Sequence, residues 1–244
     1  MRISLVNVGL AGYRNHAQND RRMGVLEDLM SKLGREDIDL VVLPAGVITV
    51  QSEECLPSLF ENELAFFKDY GIPVIFGVDV YPEPIPFEAR FETDIELPCF
   101  SFSWTPNGVH GPWRQRGSQP QKSDSMPVEE TQVHVVPIED QFVGVLTCQE
   151  IFNRELQKIY QEDCRIGVVV DVGHIGGGRW NGISSSMRKL LNGISVNHCL
   201  ACQHLMNKGK HHVLTTGELL EQHRITISED GDTPWVDAKI YEFK

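Results

Sequence analysis

Apolar residues fall along this chain in short continuous runs, separated by stretches in which they recur every three or four positions. The two patterns alternate. Residues 3–10 and 40–44 (Leu40-Val41-Val42-Leu43-Pro44) are the first two runs, with the length of strands. Between them Met23, Leu26, Leu29, Met30 and Leu33 form one stripe. The stripe predicts a helix over residues 20–34, with Asn19 or Asp20 as N-cap and Gly34 as its stop. The unit then repeats: Leu56, Leu59, Phe60, Leu64 and Phe67 predict a helix over 52–70, Gly71 ends it, and 72–78 is a strand with Pro73 near its start. Strand–helix alternation of this kind is the mark of a layered α/β fold.

Residues 81–90 hold Pro82, Pro84 and Pro86 and are irregular, whereas Phe100, Phe102 and Trp104 alternate with small residues and predict a strand over 98–104. The polar stretch 105–127, with Gly108, Gly111, Gly117 and four prolines, is a long loop, and loops of that length are functional or disordered. Further strands are predicted at 132–137, 142–148, 166–172 and 196–205, with helices at 152–163 and 184–193 and an interruption at Gly176-Gly177-Gly178. From His211 onward the alternation is weak (Val213; Ile225, Ile227; Val236, Ile240). No internal repeat or linker divides the chain, so a single domain over 1–244 is expected.

Composition narrows the function. At 41% hydrophobic and 23% charged, this is globular composition, which excludes a disordered tail or a collagen-like repeat. Twenty-two basic against 34 acidic residues give a net charge of −12, which repels phosphate backbones, so no nucleic-acid partner is expected. No apolar run approaches the roughly 18–20 residues that span a bilayer, so no membrane partner is expected. Residues 1–8 alternate like a strand and lack the features of a secretory signal, which makes the cytoplasm the expected compartment. Six scattered cysteines fit a reduced compartment. The tight pair Cys199 and Cys202, between His198 and His204, lies on a predicted strand, where residues three apart point to opposite faces. The two sulfurs therefore do not converge on one ion, and neither a metal nor a cofactor is expected. The Gly-rich run at 173–178 lacks the Lys-Ser/Thr ending of a phosphate-binding loop, and His211-His212 are read as exposed rather than metal-bound.

In open α/β sheets, reactive groups gather at the carboxyl ends of strands. The strand over 142–147 runs into Cys148-Gln149-Glu150 and then a helix. A cysteine at such a turn lies at a helix N-terminus, where the partial positive charge favours the thiolate.

Gly144-Val145-Leu146-Thr147-Cys148-Gln149-Glu150-Ile151 resembles the nucleophile segment of the nitrilase (carbon–nitrogen hydrolase) superfamily. Other segments agree in order: residues 39–44 resemble the early strand ending Leu-Pro-Glu, and 111–116 resemble the Tyr-Arg-Lys segment. Residues 171–180 and 187–193 resemble the later strand, Trp-bearing loop and Arg-Ala-x-Glu-Asn helix. The resemblance implies a four-layer αββα sandwich, a homodimer paired through the helix over 152–163, and a small amide-like ligand. It also implies a Glu–Lys–Cys triad: glutamate as general base, lysine for the developing oxyanion, cysteine as nucleophile. Here Cys148 holds the nucleophile position, Ala45 stands where the glutamate is expected and Gln115 where the lysine is expected. General-base help is worth about 10²–10⁴-fold and one oxyanion donor about 10²–10³-fold, so ordinary turnover is expected to be impaired.

Two readings stay open. One is a descendant that keeps the pocket for a metabolite or the surface for a partner. The other is a thiol amidohydrolase with a rearranged base drawn from Glu150, His174, Glu129, Glu130 or Asp124, with Arg114, Arg116 or Lys122 supplying the lost positive charge. Replacement of two triad positions favours the first. His174, Trp180, Trp113 and Arg116 are the residues expected to line the ligand site.

Overall fold

Helix α1 (Asn19–Leu33) buries Val25, Leu26, Leu29, Met30 and Leu33, while Met23 of the predicted stripe is half-buried against the same layer. Its start differs from the expected cap. Asn19 lies inside the first turn, and its side chain donates to Thr49 O (2.8 Å), tying the helix to β3 (Ile48–Val50) instead of to its own backbone. The computed structural model describes residues 1–9, 16–82, 99–116, 132–175, 188–194, 196–204, 213–226 and 235–244.

Strand β1 (Arg2–Gly9) joins two halves of one sheet. Its Ile3–Leu5 portion pairs in parallel with β2 (Leu40–Val42), and at Val8 and Gly9 it pairs in parallel with β10 (Asn197–His204). The first half continues through β4 (Val74–Val80), β5 (Cys99–Thr105) and β6 (Gly108–Arg114). The second continues through β9 (Ile166–Ile175), β8 (Gln141–Thr147) and β7 (Val135–Ile138). Strand β3 adds to β4, β11 (Val213–Thr215) adds to β10, and the antiparallel pair β12 (Glu218–Thr226) and β13 (Trp235–Glu242) lies along β1.

The halves stack face to face, and three apolar layers follow from the alternation of side chains along the strands. Ile3, Leu5, Leu40, Val42 and Ile75 meet Val143, Val145, Val168, Val170 and Val172 between the sheets. Val41, Leu43, Phe76 and Phe102 face outward onto α1 and the helical stretch after it. Leu146, Ile166 and Val169 face outward on the other side, where Leu156 and Tyr160 of helix α4 (Arg154–Glu162) cover them. This is the αββα order, and it explains why strands such as β4, buried along its whole length, read as uninterrupted apolar runs.

Several boundaries differ from the sequence reading. The helix expected over 52–70 is segmented: a 3₁₀ turn at Glu53–Cys55, α2 (Leu56–Ser58), a π turn at Leu59–Glu63 and α3 (Phe67–Tyr70). Pro57 in the first turn of α2 suits a helix start rather than its middle, and Leu64 N reaches back five residues to Leu59 O (2.8 Å). Gly71 closes the stretch at φ +66°, the left-handed conformation a glycine stop supplies. The expected loop at 105–127 contains β6, an edge strand so exposed that it carries no apolar alternation to read. Helix α4 starts at Arg154 rather than 152 because Asn153 caps it, Oδ1 accepting from Glu155 N (2.9 Å) and Leu156 N (3.1 Å). Strand β9 runs on through Gly173-His174-Ile175, which pair with Cys202, Gln203 and His204 of β10.

Candidate active site

Strand β8 ends at Thr147, opposite Val172 of the parallel β9. Cys148 follows at once as the first residue of a 3₁₀ turn, Cys148–Phe152. Its φ is +52°, a left-handed conformation that costs a non-glycine residue about 1–3 kcal/mol and persists only where the surroundings impose it. Thr147 and Glu150 impose it by forming a capping box across the turn, in which Thr147 N donates to Glu150 Oε2 (3.0 Å). The half-buried thiol thus sits on a sharp strand-to-helix corner, at the turn's N-terminal end.

Beneath it lies a network of buried polar groups. Glu150 is fully buried, and Oε1 accepts from both Arg116 N and Arg116 Nε (2.8 Å each), while Oε2 accepts from Arg116 Nη2 (3.1 Å) as well as from Thr147 N. Arg116 Nη1 donates to Gln132 O (2.5 Å). Burial acts to lower the guanidinium's pKa, but the hydrogen bonds and charge of Glu150 outweigh it and the net shift is upward. Tyr160 Oη donates to Val145 O (2.6 Å) and accepts from His134 N (3.0 Å). Its phenol is pushed well above the ordinary range by burial and then by Glu150. His134 stacks on Trp113 with centroids 5.3 Å apart and planes 12° apart. Burial, and the Arg116 charge after it, lower the His134 imidazole to about 3, which keeps it neutral at physiological pH.

A second set of contacts ties the two sheets together under the same corner. Gly77 on β4 pairs with Ser101 on β5, Ser101 Oγ hydrogen-bonds Thr147 Oγ1 on β8, and Thr147 pairs with Val172 on β9. Val172 closes the ring by packing on Gly77: a Cβ built there would lie 3.0 Å from Val172 Cγ1, and 2.6 and 2.8 Å from Cα and Cβ of Ala45. Ala45 has no exposed surface and belongs to the apolar layer between the sheets. Gln115, half-buried, is fixed through its backbone N–H to Cys99 O (2.8 Å), two residues along β5 from Ser101.

The structure therefore brings Cys148, Glu150, Gln115, Arg116, Trp113 and Ala45 to the same end of the two sheets. The His174 backbone pairs with Gln203 two positions beyond Val172. Arg114 points away, 3.9 Å from Glu53 at the surface. Trp180, Glu129, Glu130, Asp124, Lys122, Gly176-Gly177-Gly178, His211 and His212 lie outside the described residues. The sequence reading missed Ser101, His134 and Tyr160. A signal existed for Ser101: small polar residues alternating with Phe100, Phe102 and Trp104 mark a strand face pressed against a second sheet. Gly144 was the signal for Tyr160, because a Cβ there would come within 2.7 Å of its ring.

No protein-family model matches the chain. No match is found among the curated proteins. Solved structures do match it. A Glu-to-Gln mutant of the amidase from Nesterenkonia sp. AN1, with acrylamide added at the active-site cysteine, superposes with a TM-score of 0.63 at 13% identity, over 100% of this chain and 93% of that one. A Cys-to-Ala mutant of the same amidase, described as from the nitrilase superfamily, gives 0.60 at 12% identity over 98% and 90%. A Cys-to-Ala mutant in complex with butyramide gives 0.57 at 13% identity over 98% and 90%. Near-complete coverage of both chains, with the layer order described above, means that this chain has the αββα fold of the nitrilase superfamily.

Proposed function

We propose that this protein is a divergent carbon–nitrogen hydrolase-like protein that holds a small amide-like ligand beside Cys148 and does not carry out ordinary Glu–Lys–Cys turnover. The observation that carries the reading is the packing of Ala45. The strand end at which the resemblance expects the general base delivers a methyl group, fully buried beside Gly77 in the apolar layer that also holds Val172. A methyl accepts no proton. At the expected lysine position, Gln115 offers a neutral amide, a weaker donor to an oxyanion than an ammonium. Glu150 is the nearest acidic neighbour of Cys148 in sequence, and its two oxygens already accept four hydrogen bonds. We assign it and Arg116 a positioning role: they fix the turn that holds the thiol in its left-handed conformation. Butyramide, with which one structural neighbour is in complex, and acrylamide, added at the active-site cysteine of another, indicate the size of ligand.

The thiol itself supports a second reading, hydrolysis with a rearranged base. A left-handed cysteine is costly to keep for packing alone, and a partly exposed strand-to-helix corner suits a nucleophile. One experiment separates the two. The pH dependence of iodoacetamide labelling of Cys148 is measured alongside product release from acetamide, butyramide and propionitrile. Labelling with no turnover above the Cys148→Ser background is expected; turnover that depends on Cys148 overturns the proposal in favour of the second reading. The helix over 152–163 is the proposed dimer surface, and a monomeric mass by size exclusion with light scattering overturns that part.

A further inference from the structure

Away from the Cys148 corner, three metal-ligating side chains from distant parts of the sequence meet. Glu36 lies in the turn after α1, its N–H donating to Leu33 O (2.9 Å). Glu221 and His223 lie two apart on β12, opposite Ile240 and Ala238 of β13. Directly opposed residues share a sheet face. Ile240 and Ala238 pack into the layer beneath α1, so Glu221 and His223 face that side, where Glu36 sits. His223 Nε2 is 3.5 Å from Glu221 Oε1 and 3.8 Å from Glu36 Oε1, and one ligand atom from each residue lies within 4.8 Å of the others. Nε2 is itself buried, and among the described residues it has no hydrogen-bond partner.

We infer that Glu36, Glu221 and His223 form a binding site for a divalent first-row ion of the zinc class. The donor set is one imidazole nitrogen and two carboxylates, a combination that suits zinc, cobalt or manganese ions. Donors bound at about 2.0–2.2 Å with near-tetrahedral angles stand about 3.3–3.6 Å apart, so the 3.5 Å pair already has the separation required and the 3.8 Å pair needs a shift of a few tenths of an ångström. Two carboxylates offset the ion's charge, and the fourth tetrahedral position is left for water. A bound ion would clamp the β12–β13 hairpin to the turn between α1 and β2, so its role is structural and separate from Cys148 chemistry.

The test uses the full chain, stripped with a chelator and with thiols blocked by iodoacetamide so that cysteines do not compete. Zinc and cobalt(II) are titrated by calorimetry and by visible absorption. The expected result is one ion per chain, cobalt bands without sulfur charge transfer, and a metal-dependent rise in melting temperature. His223→Gln should abolish that rise, and Glu36→Gln, in an exposed turn that tolerates change, should weaken affinity about tenfold or more. If neither ion raises the melting temperature, or both variants bind like the wild type, the cluster is a histidine ion-paired to two carboxylates and the proposal is wrong.

Discussion

Arg116 and Glu150 meet fork to fork, Nε 2.8 Å from Oε1 and Nη2 3.1 Å from Oε2, with the carboxylate shut off from solvent. Such a pair adds little over apolar packing, but breaking it from one side leaves a buried charge uncompensated. Arg116→Met and Glu150→Gln should therefore each cost about 3–5 kcal/mol in urea denaturation. The double variant Arg116→Met/Glu150→Leu should lose clearly less than the sum. A strictly additive cycle would mean that the two side chains do not act as a unit.

His134 gives the network a pH signature. In the folded chain it stays neutral down to about pH 3, whereas in the unfolded chain an ordinary imidazole takes up its proton near 6.5. Between those values the unfolded state binds more protons, so stability falls as pH drops below 6.5 and this loss levels off near pH 3. The slope is at most about 1.4 kcal/mol per pH unit. Partial solvent access to the ring reduces it further. His134→Phe, which keeps a ring against Trp113, should flatten stability over this interval relative to wild type. Parallel pH–stability curves for the two proteins would contradict the assignment.

Gly77 is the tightest point of the inter-sheet ring. A Cβ there would lie 2.6 Å from the Ala45 backbone, which cannot swing aside as a long side chain could. Gly77→Ala should destabilise by about 1–3 kcal/mol or more, through overpacking. It should also slow Cys148 labelling, because the strain falls on the Ser101–Thr147 contact next to the thiol. Gly24→Ala, at a helical glycine with nothing within 4 Å of the added methyl, serves as the control and should be neutral or stabilising.

These contacts show which parts of the molecule could be read from the chain. Strands β4, β8 and β9 were legible because burial on both faces forces unbroken apolar runs, and α1 was legible from its stripe. Strand β6 was not: exposed along the sheet edge, it left only glycines and polar residues that look like a loop. At the site, Cys148 and Glu150 stood out because they are adjacent to a strand end. The Arg116–Glu150 pair spans 34 positions and Tyr160–Val145 spans 15, and nothing local requires either contact. The resemblance implied a missing base at Ala45; only packing shows that this residue is fully buried beside Gly77.

Cys148 itself offers the sharpest separation of fold from chemistry. A left-handed residue that is not glycine costs about 1–3 kcal/mol, and glycine removes that cost while adding about 0.5–1 kcal/mol of unfolded-state entropy. Cys148→Gly should therefore gain up to about 2.5 kcal/mol in urea denaturation while losing the labelled thiol altogether. Cys148→Ala, which keeps the strained backbone and loses the sulfur, should show no such gain. A gain confined to glycine would mean that the corner is held against the interests of stability, as expected of a position kept for its thiol. A loss of stability on going to glycine would instead mark the side chain as a packing element, and the proposed ligand site would lose its centre.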